Sequence, residues 1–227
     1  MNSAKLFSIA VASVFTFASA TSSATIVIDN TASTPMQVTP FGAPQTATYG
    51  EVFHTNASDT LLSAFSMFLL PLGASGPLDF RGYIGSWNGT GATSIDYAST
   101  TMTTTAAGGA FSFAPDLQLR PDSNYIAFLS VSELPVQPGA SFAMPFSGFG
   151  GVQDTDPSTG GFYFLNNGAN ASLLTNSTWQ NFVGGDIRLV ATLNQAASTV
   201  PEPATLALCG LALAGLVVWR RRPQRRG

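Results

Sequence analysis

The sequence predicts an all-β fold: an antiparallel β-sandwich of jelly-roll type, set between an N-terminal signal helix and a single C-terminal transmembrane helix. Three observations carry this reading. Between Thr25 and Thr192 apolar residues recur with period two or in short continuous runs, and no amphipathic helical period appears. Turn sequences rich in Gly, Asn and Pro separate those runs at short intervals. Each end of the chain holds an uncharged apolar segment flanked by cations.

The strands follow in chain order. "TLLSAFSMFLL" (60 to 70) is nearly continuous in apolar residues, as a strand buried on both sides would be, and Phe65, Phe68 and the hydroxyl residues favour strand over helix. "ASTTMTTTAAGGA" (98 to 110) reads as an edge strand plus a loop. "FSFAPDLQL" puts Phe111, Phe113, Leu117 and Leu119 against Ser112 and Gln118. "NYIAFLSVS" (124 to 132) is a second run buried on both sides. "DIRLVATL" (186 to 193) alternates, with Ile187, Leu189, Ala191 and Leu193 on one face and Asp186, Arg188 and Thr192 on the other. Between them lie the turns "PLGASGP", "WNGTGA", "RPDSN", "QPGAS" and "FLNNGANAS". The organisation expected is a signal segment over 1–24, a sandwich over 25–193, a small polar tether over 194–200 ("NQAASTV") and a C-terminal segment over 201–227.

Charge narrows the function classes. Only 9% of the 227 residues are charged, against about 25% in ordinary soluble domains. Between Thr25 and Thr199 the cations are Arg81, Arg120 and Arg188, against eleven Asp and Glu, a net charge of −8. An acidic body without lysine is a poor partner for nucleic acid, whose phosphates need basic contacts. Abundant Phe, Leu, Ile and Val argue against disorder, and about 175 residues suffice for one buried core. The single cysteine, Cys209, lies in the apolar C-terminal run, so neither a disulfide framework nor a cysteine metal site is expected.

The ends describe a route. In "MNSAKLFSIAVASVFTFASATSSA", Lys5 precedes the uncharged run Leu6 to Ala18. Two small-x-small triplets follow, placing cleavage after Ala20 or after Ala24. A segment of this kind engages the secretion translocon. At the other end Ala204 to Trp219 is uncharged and as a helix spans about 24 Å, a little short of a ~30 Å hydrocarbon core. Arg220, Arg221, Arg222, Arg225 and Arg226 form a cytoplasmic stop by the positive-inside rule. Pro201 and Pro203 suit a helix start, not its interior.

A plain single-pass anchor would satisfy those physics, but the full tail "VPEPATLALCGLALAGLVVWRRR" resembles the PEP-CTERM sorting signal handled by exosortase. Pro201, Glu202 and Pro203 stand as the motif, followed by the apolar helix and the basic cluster. The resemblance implies export, transient membrane insertion, and cleavage near the motif by an exosortase-type membrane protease. It further implies a final place in the envelope, extracellular matrix or biofilm of a Gram-negative bacterium that makes exopolysaccharide. The order "FRGYIGSWNGTGA … YAST … FSFAPDLQLRPDSNYIAFLS" is loosely similar to the β-sandwich ectodomains of such proteins, and no activity comes with that likeness.

Catalytic residues are not expected. His54 is the only histidine and no G-x-S-x-G element accompanies it. Glu51 and Glu133 are the only glutamates of the body, and nothing marks them as a glycosidase pair. No metal cofactor is expected beyond a candidate structural calcium at Asp154 and Asp156, which a solvated turn explains better. Trp87 and Trp179, with Tyr83 and Tyr163, are candidates for stacking on sugar rings, although core packing is the commoner use of such residues. The expected function is therefore a non-catalytic exported protein, with exopolysaccharide as a candidate partner. The alternative is a carbohydrate-binding module at the cell surface.

Replacing Pro201 and Glu202 together by alanine is expected to trap the uncut chain in the membrane fraction. Release equal to that of the unaltered protein would remove the basis for processing at this motif.

Overall fold

The computed structural model describes residues 25–30, 35–42, 44, 46–73, 76–137, 139–147 and 161–195. The expected signal segment with Ala20 and Ala24, the Asp154 and Asp156 pair, and the segment 201–227 with its motif, apolar run and arginines lie outside them. Among the described residues no helix is long and apolar enough to cross a membrane.

The chain forms β1 (Thr25–Asp29), β2 (Pro35–Phe41), β3 (Thr48–His54), β4 (Asp59–Pro71), β5 (Asp79–Trp87), β6 (Ala92–Ala98) and β7 (Met102–Thr103). There follow β8 (Gly109–Phe113), β9 (Leu117–Gln118), β10 (Asn124–Ser130), β11 (Phe142–Ser147), β12 (Gly161–Leu165), the one-turn helix α1 (Leu173–Asn176), β13 (Gln180–Val183) and β14 (Leu189–Gln195). One sheet runs β1-β14-β4-β11-β2, with β8 and β9 on the other edge of β4. The second runs β13-β12-β3-β10-β5-β6, with β7 beside β5. The strand pairings within the two sheets are antiparallel, so the expected antiparallel sandwich forms.

Alternation decides which residues meet between the sheets. Leu62, Phe65, Met67 and Leu69 of β4 and Leu189, Ala191 and Leu193 of β14 face Tyr49, Phe53, Phe80, Ile84 and Leu129 of the second sheet in one core. Ile187, just before β14, joins them as predicted. Aromatic pairs tie this core together, among them Phe65 with Phe113 at 4.6 Å and Phe80 with Phe111 at 4.8 Å.

Three details differ from the sequence reading. β4 is buried on one face only, with Leu61, Phe68 and Leu70 half-buried. A bulge explains why its period is hard to read: Thr192 pairs with Ala64 but Leu193 with Leu62, so Ser63 is the extra residue and the inward parity changes there. The outer ring of Phe68 is covered by the Arg188 guanidinium, 3.8 Å from its centroid. "FSFAPDLQL" is two strands instead of one, broken before Asp116, whose φ of 44° turns the chain. The final strand reaches Gln195, two residues into the stretch expected as tether.

The buried polar groups around Ile187 are matched. Asn30, 3% exposed, acts as a strand residue through its side chain: Nδ2 donates to the Ile187 carbonyl at 2.7 Å and Oδ1 accepts from the Leu189 amide at 2.6 Å. Phe65→Ala is expected to cost about 3–5 kcal/mol in urea unfolding, by lost transfer energy and a residual cavity. Asn30→Ala is expected to cost about 2 kcal/mol or more, because it leaves two buried backbone groups unpaired. Val183→Ala, at a position 72% exposed, is expected to stay within about 0.5 kcal/mol. Equal losses at all three positions would refute this map of the core.

Candidate functional site

The aromatic residues singled out as sugar platforms are not available for stacking. Trp87 is 7% and Trp179 3% exposed, and Tyr83 and Tyr163 are buried with them. They build a second hydrophobic cluster on the outer face of the second sheet, with Val52, Ile126 and Phe128. Phe128 stacks on Tyr83 at 4.9 Å and meets the edge of Trp179 at 5.1 Å. Trp87 lies 4.4 Å from Tyr163 and 5.9 Å from Trp179. The segment carrying α1 covers this face, and Trp179 Nε1 donates to the Leu174 carbonyl at 3.1 Å. The physical reason is the period of the strands: residues alternate with the core-facing set, so an apolar outer face needs its own cover.

The ionisable candidates are dispersed. His54, at the end of β3, is half-buried and its Nδ1 meets Asn124 Oδ1 at 2.8 Å. Glu51, 2% exposed, enters the core from the same strand, and its Oε2 accepts from the Ile187 amide of the opposite sheet at 2.7 Å. Glu133 is exposed beyond β10, with Arg81 at 2.7 Å and the Tyr83 hydroxyl donating to it at 3.2 Å. Burial pushes the Tyr83 phenol up to about 12, and the Glu133 carboxylate adds to the rise. Among the described residues, no three His, Cys, Asp or Glu side chains gather where they could hold a metal ion.

The structure instead assembles a polar site that no sequence motif announces. At the edge of the sandwich, β6 of one sheet faces the region after β9 of the other across a cleft of about 270 Å³, lined by Ser86, Ser94, Asp96, Gln118, Arg120 and Tyr125. A second cleft of about 240 Å³ shares Ser86, Arg120 and Tyr125 and adds Trp87, Thr93, Ser123 and Asn124. Strand register brings Ser86 opposite both Tyr125 and Ser94. Asp96 is held by two hydroxyls, with Ser86 Oγ donating to Oδ2 at 2.7 Å and Ser94 Oγ to Oδ1 at 2.8 Å. The backbone amide of Arg120 donates to the Tyr125 hydroxyl at 2.8 Å, and Tyr125 stacks on Phe53.

One pH effect follows from the Tyr83 contacts. The folded phenol titrates above the ordinary tyrosine value of about 10, so its contribution to stability is complete below about pH 10 and is lost as pH rises towards about 12. Tyr83→Phe is expected to remove that part of the alkaline decline in urea unfolding. Parallel declines in both proteins would assign the loss to another group.

Comparison with known proteins bears mostly on the tail. Among curated proteins none matches the chain. Two solved structures overlap with the fold. One holds the cysteine protease and lectin-like domains of Cwp84, a surface layer associated protein of Clostridium difficile, at 11% identity and a TM-score of 0.44, covering 67% of this chain and 32% of that one. The other is the clostridial cysteine protease Cwp84 after propeptide cleavage, at 10% identity and a TM-score of 0.49, covering 76% of this chain and 40% of that one. The chain thus spans less than half of either solved chain, and neither likeness bears on its activity. A family model described as the PEP-CTERM protein-sorting motif matches residues 199–222, including Pro201, Glu202, Pro203 and the first arginines. That motif indicates an exported protein, sorted by exosortase and tied to the membrane in transit.

Proposed function

We propose that this chain is a non-catalytic protein of the envelope or extracellular matrix of a Gram-negative bacterium, and that its jelly-roll-type sandwich is released there once exosortase has cut the tail. The sorting motif at 199–222, directly after a folded sandwich, is the observation that carries the reading. Two prolines disfavour helix at the residues before them, which suits access by a membrane protease. The short apolar run behind it suits a temporary anchor.

The composition and the packing support a structural role for the body. Its surface carries few charges, with acids outnumbering cations, which suits a hydrated anionic matrix. The two glutamates are engaged in holding the fold: Glu51 links the sheets and Glu133 closes the Arg81 and Tyr83 cluster. The alternative of a carbohydrate-binding module built on Trp87 and Trp179 loses its basis, because both rings are buried.

The test is intact mass and fractionation of the protein from its native host, with and without exosortase. A mature species lacking both ends, found outside the membrane only when exosortase is present, is the expected result. A full-length C-terminus held in the inner membrane in both strains would overturn the matrix reading.

A further inference from the structure

The polar clefts at the open edge of the sandwich have an arrangement that folding alone does not require. Asp96 and Arg120 line the same cleft, yet they form no ion pair; among the described residues the salt bridge found is Arg81 with Glu133. The other body cations are engaged, Arg81 with Glu133 and Arg188 over Phe68. The Arg120 guanidinium has no side-chain partner among the described residues and is exposed. A guanidinium beside an accessible carboxylate ordinarily closes on it when geometry allows. Here Asp96 is held by its two serines, and the Arg120 backbone is held by the hydrogen bond its amide donates to the Tyr125 hydroxyl, while the two side chains line the opening without pairing.

The two walls are chemically opposite. The β6 wall offers acceptors: the remaining lone pairs of Asp96 and those of the serine hydroxyls that already donate to it. The other wall offers the five N–H groups of Arg120, and in the second cleft the amide of Asn124, on β10 of the same sheet as β6, adds a donor, its oxygen already meeting His54. Trp87 lines the second cleft as well, and its Nε1 is buried without a protein acceptor. A ligand hydroxyl both donates and accepts, so a row of hydroxyls satisfies both walls at once. A lone carboxylate would meet Asp96 as a like charge, and a lone ammonium would meet Arg120 in the same way. An amino acid would satisfy the two charges and leave the second cleft unmatched.

From this geometry we infer that the paired clefts bind a neutral polyhydroxylated ligand, one or two sugar units, with Asp96 accepting from vicinal hydroxyls and Arg120 donating to them. Each cleft has room for about one such ring. The site uses no exposed tryptophan ring as a stacking platform, Trp87 being only 7% exposed where it lines the second cleft, and it does not depend on how the tail is processed.

The experiment titrates the full-length protein, purified in a detergent without a sugar headgroup, by calorimetry against gluco-, galacto- and manno-configured disaccharides, with glucuronate and glutamate as charged probes. At least one disaccharide is expected to bind, and Arg120→Gln and Asp96→Asn are each expected to weaken it about tenfold or more. Both side chains are exposed, so the melting temperature of each variant is expected to stay near that of the unaltered protein. Ser94→Ala, which frees one Asp96 oxygen, is expected to weaken binding severalfold and serves as a milder second variant. Absence of binding to every disaccharide would overturn the inference. So would binding that both charge variants leave unchanged, or a preference for glucuronate or glutamate over all the neutral sugars.

Discussion

Strand β10 has no solvent face. Tyr125, Ala127 and Leu129 enter the core between the sheets, while Ile126 and Phe128 enter the cluster on the outer side. The pleat forces this division, since successive side chains leave opposite faces of a sheet. Its neighbours β3 and β5 follow the same rule, with Phe53 and Ile84 inward and Val52 and Tyr83 outward. A strand so placed needs a layer on each side. The first sheet supplies one layer, and the segment from Leu165 to Trp179 with α1 supplies the other. Close approach is part of the same constraint: a β-carbon at Gly82 would collide with the Phe113 ring at 2.5 Å, and one at Gly50 would collide with Ile126 and Phe128 at 2.8 Å.

The polar interior is arranged so that the two apolar layers can close. Glu51 and Asn30 both serve the backbone around Ile187, where the chain passes from a bridge with Phe146 into β14. Backbone groups at such a transition lack a continuous ladder partner, and buried ones need a substitute. These two side chains provide it. A carboxylate inside an apolar sandwich is therefore compensated by the hydrogen bond it accepts across the sheets.

Polar chemistry that is left over concentrates at the rim. β6 and the residues after β9 are edges of opposite sheets, and among the described residues no further strand closes the gap between them. Side chains that would be buried in the middle of the sandwich are there reachable by solvent, so Ser86, Ser94, Asp96 and Arg120 remain polar and accessible. The fold thus separates its tasks. The middle holds the structure, the rim carries a cleft with donors and acceptors on its walls, and the tail carries the address.

The route of the protein is written locally. A sorting signal is a motif contiguous in sequence with its apolar and basic neighbours, so Pro201 to Arg222 could be read without any long-range contact. The sandwich class was legible for the same reason: strand alternation and turn residues are local, and Ile187, Leu189, Ala191 and Leu193 fell on the face expected of them. What could not be read was decided by pairing across long stretches of chain. The bulge at Ser63 arises from register with β14, about 130 residues away, and it reassigned the faces of β4. Trp87 and Trp179 became core because the α1 segment folds over them, and local sequence cannot distinguish a covered aromatic from an open one. The cleft drew Asp96, Arg120 and Ser86 from separate segments joined only by sheet register, so no spacing in the sequence could have announced it.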